Sequence, residues 1–342
     1  MFLTGATGFI GGHVFRALRA AGYRVRALVR DPGAAARVPD AEAVPGDMRR
    51  PGDLLRAMDG CRYLVHCAAL YSYAPRDRPV MRTVNVTGTA GLLEAARIAG
   101  VERAVVTSSA GTVGQASLPG GHRLPGEERR PDERAATEAD AAAARTHSAY
   151  HRSKIEQEYA ALAARVPAVL VLPTATVGPG DWKPTPTGQL VLDFARGRIF
   201  AAPPGGGLNM VAVEDVARAH VLALERGRPH ERYLIGGENL GFDAVWQLLA
   251  EVTGRPAPRW RLPVTLALLA GGADELRCRL WPAATPHVPL EGVRMSVERM
   301  YVDSAKARAE LGWEPGPVRA ALGRAVAWYR EHGYFTATRP LH

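Results

Sequence analysis

Near its start the chain places three glycines at three-residue intervals, Gly5-Ala6-Thr7-Gly8-Phe9-Ile10-Gly11. A short apolar strand, Phe2-Leu3-Thr4, precedes them, and a run follows in which Val14, Leu18 and Ala21 recur with helical spacing. A glycine turn between strand and helix lets backbone N–H groups approach an anionic group at the positive end of the helix. The spacing is GxxGxxG rather than GxGxxG, and a plain tight turn is the alternative reading.

The alternation continues down the chain. Residues 23–29 read as a strand ending at Arg30 and Asp31. About twenty residues past such a glycine loop, an acidic side chain suits the ribose 2′-hydroxyl of NAD and an arginine suits the 2′-phosphate of NADP. Arg30 at the strand end favours NADP(H) over NAD(H), with Asp31 as the residue that would serve NAD. Residues 43–48 read as a third strand. Residues 62–69 read as a fourth, closing on Ala68 and Ala69, small enough for a ligand to lie against the backbone. His66 and Cys67, adjacent there, face opposite ways and are expected in the core rather than as a catalytic or metal pair. A helical run through Leu92, Leu93, Ala96 and Ile98 follows Asn85, and a strand within 101–113 runs into the hydroxyl cluster Thr107, Ser108, Ser109. This rhythm predicts an α/β fold, a Rossmann-type doubly wound parallel sheet, with ligands at the strand carboxyl ends. Ser109 sits at such an end, where a simple turn former is equally at home.

Residues 114–146 are polar and rich in Pro and Gly, then in Ala, and read as a flexible flap over a substrate, with a short helix over 135–144. After them Tyr150 and Lys154 stand four residues apart at the start of an amphipathic helix that continues through Ile155, Tyr159 and Leu162, so both side chains share one face. A neighbouring ammonium favours a phenolate and lowers the phenol pKa, which equips Tyr150 to exchange a proton with a hydroxyl or carbonyl. Taken alone, such a pair also occurs on solvated helices.

Residues 168–173 read as a buried strand, 182–188 as a rigid polar loop whose Trp182 suits substrate recognition, and 208–213 as a return to the main sheet, with Glu214 and Asp215 capping the next helix. A further strand covers 233–237, helices lie near 242–252 and 304–311, and 256–263 and 282–289 read as Pro-rich loops. The expected organisation is a dinucleotide-binding domain over 1–180, to which 208–237 returns, and a smaller C-terminal substrate lobe from 181–207 and 238–342.

The formal charge of +9 is spread along the chain without a basic stripe interleaved with aromatics, so no nucleic-acid partner is expected, and the charge suits an anionic cofactor. Three cysteines, Cys61, Cys67 and Cys278, form no CxxC pair, which points to a reducing, cytoplasmic setting and no metal. The start lacks a basic n-region, and the apolar stretch 264–270 is too short to span a bilayer. The sequence leaves the oligomeric state open, a homodimer included.

Gly5, Gly8 and Gly11, the Thr107-Ser108-Ser109 strand end, Tyr150-x-x-x-Lys154 and Pro173-Thr174-Ala175-Thr176-Val177-Gly178-Pro179 follow in order, and with them the chain resembles the extended short-chain dehydrogenase/reductases, the NAD-dependent epimerase/dehydratase family. Through Ser108-Ser109-Ala110-Gly111-Thr112-Val113 it looks most like their dihydroflavonol-reductase-like branch. Through the segments 183–188, 207–211, 224–227 and 236–239 it is similar to hopanoid-associated sugar epimerases. The resemblance implies that Tyr150 is the catalytic acid/base, that Lys154 lowers its pKa and binds the nicotinamide ribose, and that Ser109 holds the reacting oxygen. It implies cofactor contacts from Gly5, Thr7, Gly8, Phe9, Ile10 and Gly11, and from Arg30, Asp47 and Met48 around the adenosine. Ala68, Ala69, Asn85, Thr107, Ser108, Tyr150 and Lys154 would line the nicotinamide half, with Pro173, Thr174 and Thr176.

Two departures bear on substrate: the interval from Ser109 to Tyr150 is long for the family, and Val113-Gly114 stands where many sugar-nucleotide epimerases carry Val-Tyr-Gly. The expected activity is therefore NADP(H)-dependent hydride transfer between nicotinamide and a carbonyl or secondary alcohol of a small molecule. A sugar or sugar-nucleotide epimerase with retained NAD(P) is the alternative. A cofactor-sensing binding protein is a third reading, although relatives of that kind typically lose the Tyr/Lys pair.

Overall fold

The computed structural model describes residues 1–113, 134–140, 148–199, 201–202, 205–281 and 284–335. In chain order the strands are β1 (Phe2–Thr4), β2 (Arg26–Val29), β3 (Glu42–Pro45), β4 (Tyr63–His66), β5 (Arg103–Thr107), β6 (Ala168–Pro173) and β7 (Ala175–Val177). They continue with β8 (Ala201–Ala202), β9 (Gly207–Ala212), β10 (Arg232–Ile235), β11 (Glu238–Gly241), β12 (Trp260–Arg261) and β13 (Arg299–Met300). Seven form one sheet in the order β10-β6-β5-β4-β1-β2-β3, every pairing parallel. The order reverses at β1, next to β4, and this is the switch point where an open parallel sheet receives a ligand.

Successive strand residues feed opposite faces. Phe2, Leu64, Val106, Leu170 and Leu234 join one buried cluster with Leu54, Met58, Leu92 and Ala161 from the helices Pro51–Met58, Thr89–Ile98 and Ala149–Leu162. Leu3, Val65, Val105, Val169 and Ile235 join the other with Val14 and Leu18 of helix Phe9–Ala20 and Val216 and Ala223 of helix Val213–Arg226. Burial on both faces explains why these strands are nearly continuous apolar runs.

A second sheet has the order β11-β9-β13, with β7 also paired to β9, and packs with the helices Pro186–Ala195, Phe242–Thr253 and Val318–Glu331 around a third core containing Trp246 and Tyr329. The expectation that 208–213 rejoins the main sheet is corrected: β9 is the centre of this second sheet, antiparallel to β11 and parallel to β7 and β13. All six residues of β9 are buried, so its composition looks alike in either sheet. What does return is helix Val213–Arg226, with Glu214 and Asp215 inside its first turn rather than capping it.

Other expectations also shift. Thr185 caps helix Pro186–Ala195, so the second half of the expected loop 182–188 is helical, and Trp182 packs edge-on to Trp328 at 4.7 Å. Helix Val264–Leu280 was not anticipated. The expected flap lies largely outside the described residues. Its part over 134–140 is a β-bridge between Ala136 and Val302 followed by a turn closed on Asp140, not the start of a helix, and 141–147 lie outside the described residues.

Candidate active site

The glycine turn is dictated by close approach. Gly5 has φ +76°, and a Cβ there would stand 2.6 Å from the Ala68 amide nitrogen, while a Cβ on Gly11 would overlap the Gly5 carbonyl oxygen. Strand and helix meet here with no room for a side chain. Gly8 is the N-cap of helix Phe9–Ala20, no side chain caps that end and no acidic residue stands in its first turn, so its N–H groups are available to an anion. Thr7 is half-buried in the turn, Ile10 packs on the sheet core, and Phe9 lies edge-on to His13 at 6.0 Å. These features fit the pyrophosphate of a dinucleotide.

Arg30 is exposed at the carboxyl end of β2. Asp31 accepts a hydrogen bond from Gly33 N at 2.9 Å and caps the short turn Pro32–Arg37, so its carboxylate is already engaged. Asp47 is gripped by the Arg49 guanidinium, whose hydrogen bonds hold its carboxyl down at about 2. Met48, expected to cover an adenine, is buried in the core with its methyl group beneath Gly88. Ala68 and Ala69 follow β4 directly beside Gly5.

At the centre, Ser148 caps helix Ala149–Leu162 by accepting from His151 N at 3.0 Å, and this sets Tyr150 in the first turn with Lys154 one turn on. The Ser109 hydroxyl lies beside the Tyr150 phenol and favours its ionised form. The Tyr71 ring packs tilted against Tyr150 with ring centroids 4.1 Å apart, and Tyr73 packs edge-on to Tyr71 at 5.3 Å. Lys154 is 1 % exposed and donates to the Thr107 carbonyl oxygen at 2.8 Å. Burial lowers its pKa to about 8, against the raising effect of the Glu158 carboxylate. Burial raises the Tyr150 phenol well above its ordinary value, opposed by the neighbouring Ser109 hydroxyl. The expected lowering by Lys154 does not govern the phenol in this state: desolvation dominates it, and the ammonium is bonded to the Thr107 carbonyl.

The side chains of other residues expected at a cofactor make bonds that hold the frame. Asn85 accepts from Leu70 N at 2.8 Å and donates to Leu70 O and Ser153 Oγ, both at 2.9 Å, so its amide ties the segment after β4 to the Tyr150 helix. The Thr107 hydroxyl is bonded to His220 Nε2 at 2.7 Å, and Ser108 donates to Glu158 Oε1 at 2.5 Å. Thr174 donates to Asn209 Oδ1 at 2.8 Å, Thr176 to the Thr174 carbonyl at 3.0 Å, and Pro173 ends β6 in the buried sheet. His66 is in the core as expected, but as a polar clasp, its ring nitrogens 2.7 Å from Thr4 Oγ1 and 2.8 Å from Thr89 Oγ1.

The residues missed by sequence are Tyr71, Tyr73 and above all Glu158. Glu158 is buried, accepts from Ser108 and from Thr112 Oγ1 at 2.6 Å, and lies 3.0 Å from Arg232 Nε, close enough for an ion pair though not aligned for a hydrogen bond. A signal was present: Tyr150, Lys154 and Glu158 repeat at four-residue steps along one helix face.

Similarity to known proteins agrees with this geometry. The NAD dependent epimerase/dehydratase family matches residues 1–236. The chain is 38% identical to the putative dihydroflavonol 4-reductase of Synechocystis sp., covering 97% of this chain and 95% of that protein. It is 36% identical to the sterol demethylase protein B of Methylococcus capsulatus, over 97% and 98%. Among solved structures, that of gox2253 superposes with a TM-score of 0.81 at 36% identity, over 97% of this chain and 98% of that one. A strand–glycine–helix cradle at the switch point, a parallel sheet and these matches lead to one assignment: the chain belongs to the NAD dependent epimerase/dehydratase family of extended short-chain dehydrogenase/reductases.

Proposed function

We propose that this enzyme is an NADP(H)-dependent reductase or dehydrogenase that interconverts a carbonyl and a secondary alcohol on a small molecule with an apolar body. The observation that carries the reading is the buried Tyr150 phenol with the Ser109 hydroxyl beside it, on the helix that also bears Lys154. When bound, the nicotinamide supplies or accepts the hydride. Tyr150 gives the proton: desolvation keeps its phenol protonated, the form needed to protonate an oxygen that gains negative charge during reduction. Ser109 holds that oxygen. Lys154 commits one of its three N–H donors to Thr107, and the others would be left for the nicotinamide ribose.

For the 2′-phosphate the support is Arg30, free at the strand end while Asp31 caps its own turn. For an apolar substrate it is the wall formed by Tyr71 and Tyr73, together with relatives named for a dihydroflavonol and a sterol. The second-sheet lobe, which joins β7 and β9 to elements of 181–207 and 238–342, supplies the remaining substrate walls. Exposed Ile98 and Tyr159 on neighbouring helices suit a homodimer contact, and the unpaired Cys61, Cys67 and Cys278 suit the cytoplasm.

The test supplies ketones, aldehydes and sugar nucleotides with NADPH to the purified protein. Stoichiometric NADPH oxidation with a ketone or aldehyde is expected, and Tyr150→Phe should cut turnover by about 10²–10⁴ while NADPH still binds. Inversion of a sugar centre without NADPH loss would establish the epimerase instead, and full turnover by Tyr150→Phe would remove the tyrosine from the chemistry.

A further inference from the structure

Helix Val264–Leu280 buries Ala267, Gly271, Asp274 and Cys278 on one side. With 3.6 residues per turn, Leu266, Leu269, Leu276 and Leu280 fall away from that side, and these four and Leu262, just before the helix, are exposed, Leu269 by 70%. A tryptophan stands at each end of this stripe, Trp260 exposed by 75% and Trp281 by 63%. An apolar face of this extent is not scattered surface hydrophobicity.

Its surroundings select the occupant. Between residues 255 and 281 the chain carries Arg255, Arg259, Arg261, Arg277 and Arg279 against Asp274 and Glu275. The arginines cluster at both ends of the helix. A second copy docked antiparallel would set the arginines of one end beside those of the other, and a parallel copy would set like on like, so charge opposes self-association through this face. Indole rings and arginines flanking a leucine stripe match the headgroup level of an anionic bilayer. At about 1.5 Å per residue the helix is roughly 25 Å long, short of the hydrocarbon core, and among the described residues no helix is long and apolar enough to cross a membrane. A helix of this kind lies on the surface.

The face is also connected to the candidate site. Glu275 pairs with Arg78 at 3.4 Å, just past the segment bearing Tyr71 and Tyr73. A Cβ on Gly271 would stand 3.0 Å from Leu290 Cα, and the next residue, Glu291, accepts a hydrogen bond from Ser148, the cap of the Tyr150 helix.

We infer that helix Val264–Leu280, with Trp260 and Trp281, docks the enzyme on an anionic lipid bilayer surface. The inference deepens the reading of an apolar-bodied substrate given above, since such a compound partitions into that surface. The experiment is flotation of the whole protein with vesicles of phosphatidylcholine alone or mixed with phosphatidylglycerol, read without any turnover, so that failure of the reductase reading leaves the result interpretable. Flotation with the mixed vesicles is expected, weaker on phosphatidylcholine and weakened by salt. Leu266→Gln/Leu269→Gln/Leu276→Gln should reduce the bound fraction by at least about tenfold with NADPH binding retained. Should the triple variant not fold, Trp281→Ser, at the rim of the helix, should still lower it. Absence of flotation, equal flotation of the variants, or a wild-type dimer that these substitutions convert to monomer without any vesicle binding would overturn the inference.

Discussion

Lys154 is an ammonium group in the interior, held by one carbonyl oxygen and faced by the Glu158 carboxylate one turn further along. Burial brings its pKa to about 8, so the folded protein loses this charge at a pH where a free lysine keeps it. If Lys154 holds the nicotinamide ribose, affinity for NADPH is full below about pH 8 and declines as pH rises through it. A titration of NADPH at several pH values should show this decline in the wild type and a weaker, flat profile in Lys154→Met. Parallel profiles would mean that the charge plays no part in binding. Tyr150 contributes no limb there, because desolvation moves its titration in the alkaline direction. The four-residue spacing of tyrosine and lysine was legible in the sequence, and so was the shared face. The desolvation was not, because it depends on Tyr71 arriving from a different loop to cover the phenol.

Helix Ala149–Leu162 joins the candidate chemistry to the frame through Glu158, which gathers Ser108, Thr112 and Arg232 from three other segments. Removing one member of a buried charged pair leaves the other uncompensated. Glu158→Gln is expected to destabilise the fold by about 3 kcal/mol, seen as a lower urea midpoint, and Arg232→Met in the same chain should recover part of the loss. Because the Glu158 carboxylate raises the Lys154 pKa, the same variant should move the pH limb of NADPH binding downward. An unchanged midpoint would show the pair to be dispensable. Spacing could have flagged Glu158, yet the partners that fix its role sit on elements far apart in sequence. For the same reason the bond from the Ser108 hydroxyl to Glu158 could not be read from its motif.

Over the whole molecule, the parallel sheet was legible because strands buried on both faces leave long apolar runs between helices. The second sheet was not: β9 is buried along its whole length, and nothing in such a strand names its neighbours. The last segment of the chain ties the two halves together. Ala307, Leu311 and Trp313 pack into the main-sheet core, where the Trp313 indole donates to the Asp215 carbonyl at 2.9 Å, and helix Val318–Glu331 then crosses to the second core. Unfolding should therefore be one transition, with tryptophan fluorescence and far-UV circular dichroism coinciding in urea, and two resolved steps would contradict this coupling. The glycine cradle carries a different kind of consequence. Gly5 and Gly11 leave no space for even a methyl group, while Arg30, at the carboxyl end of β2, is exposed. If residue 30 selects between the two nicotinamide cofactors, as proposed, that choice is open to substitution, whereas the glycine turn has no room for even a methyl group.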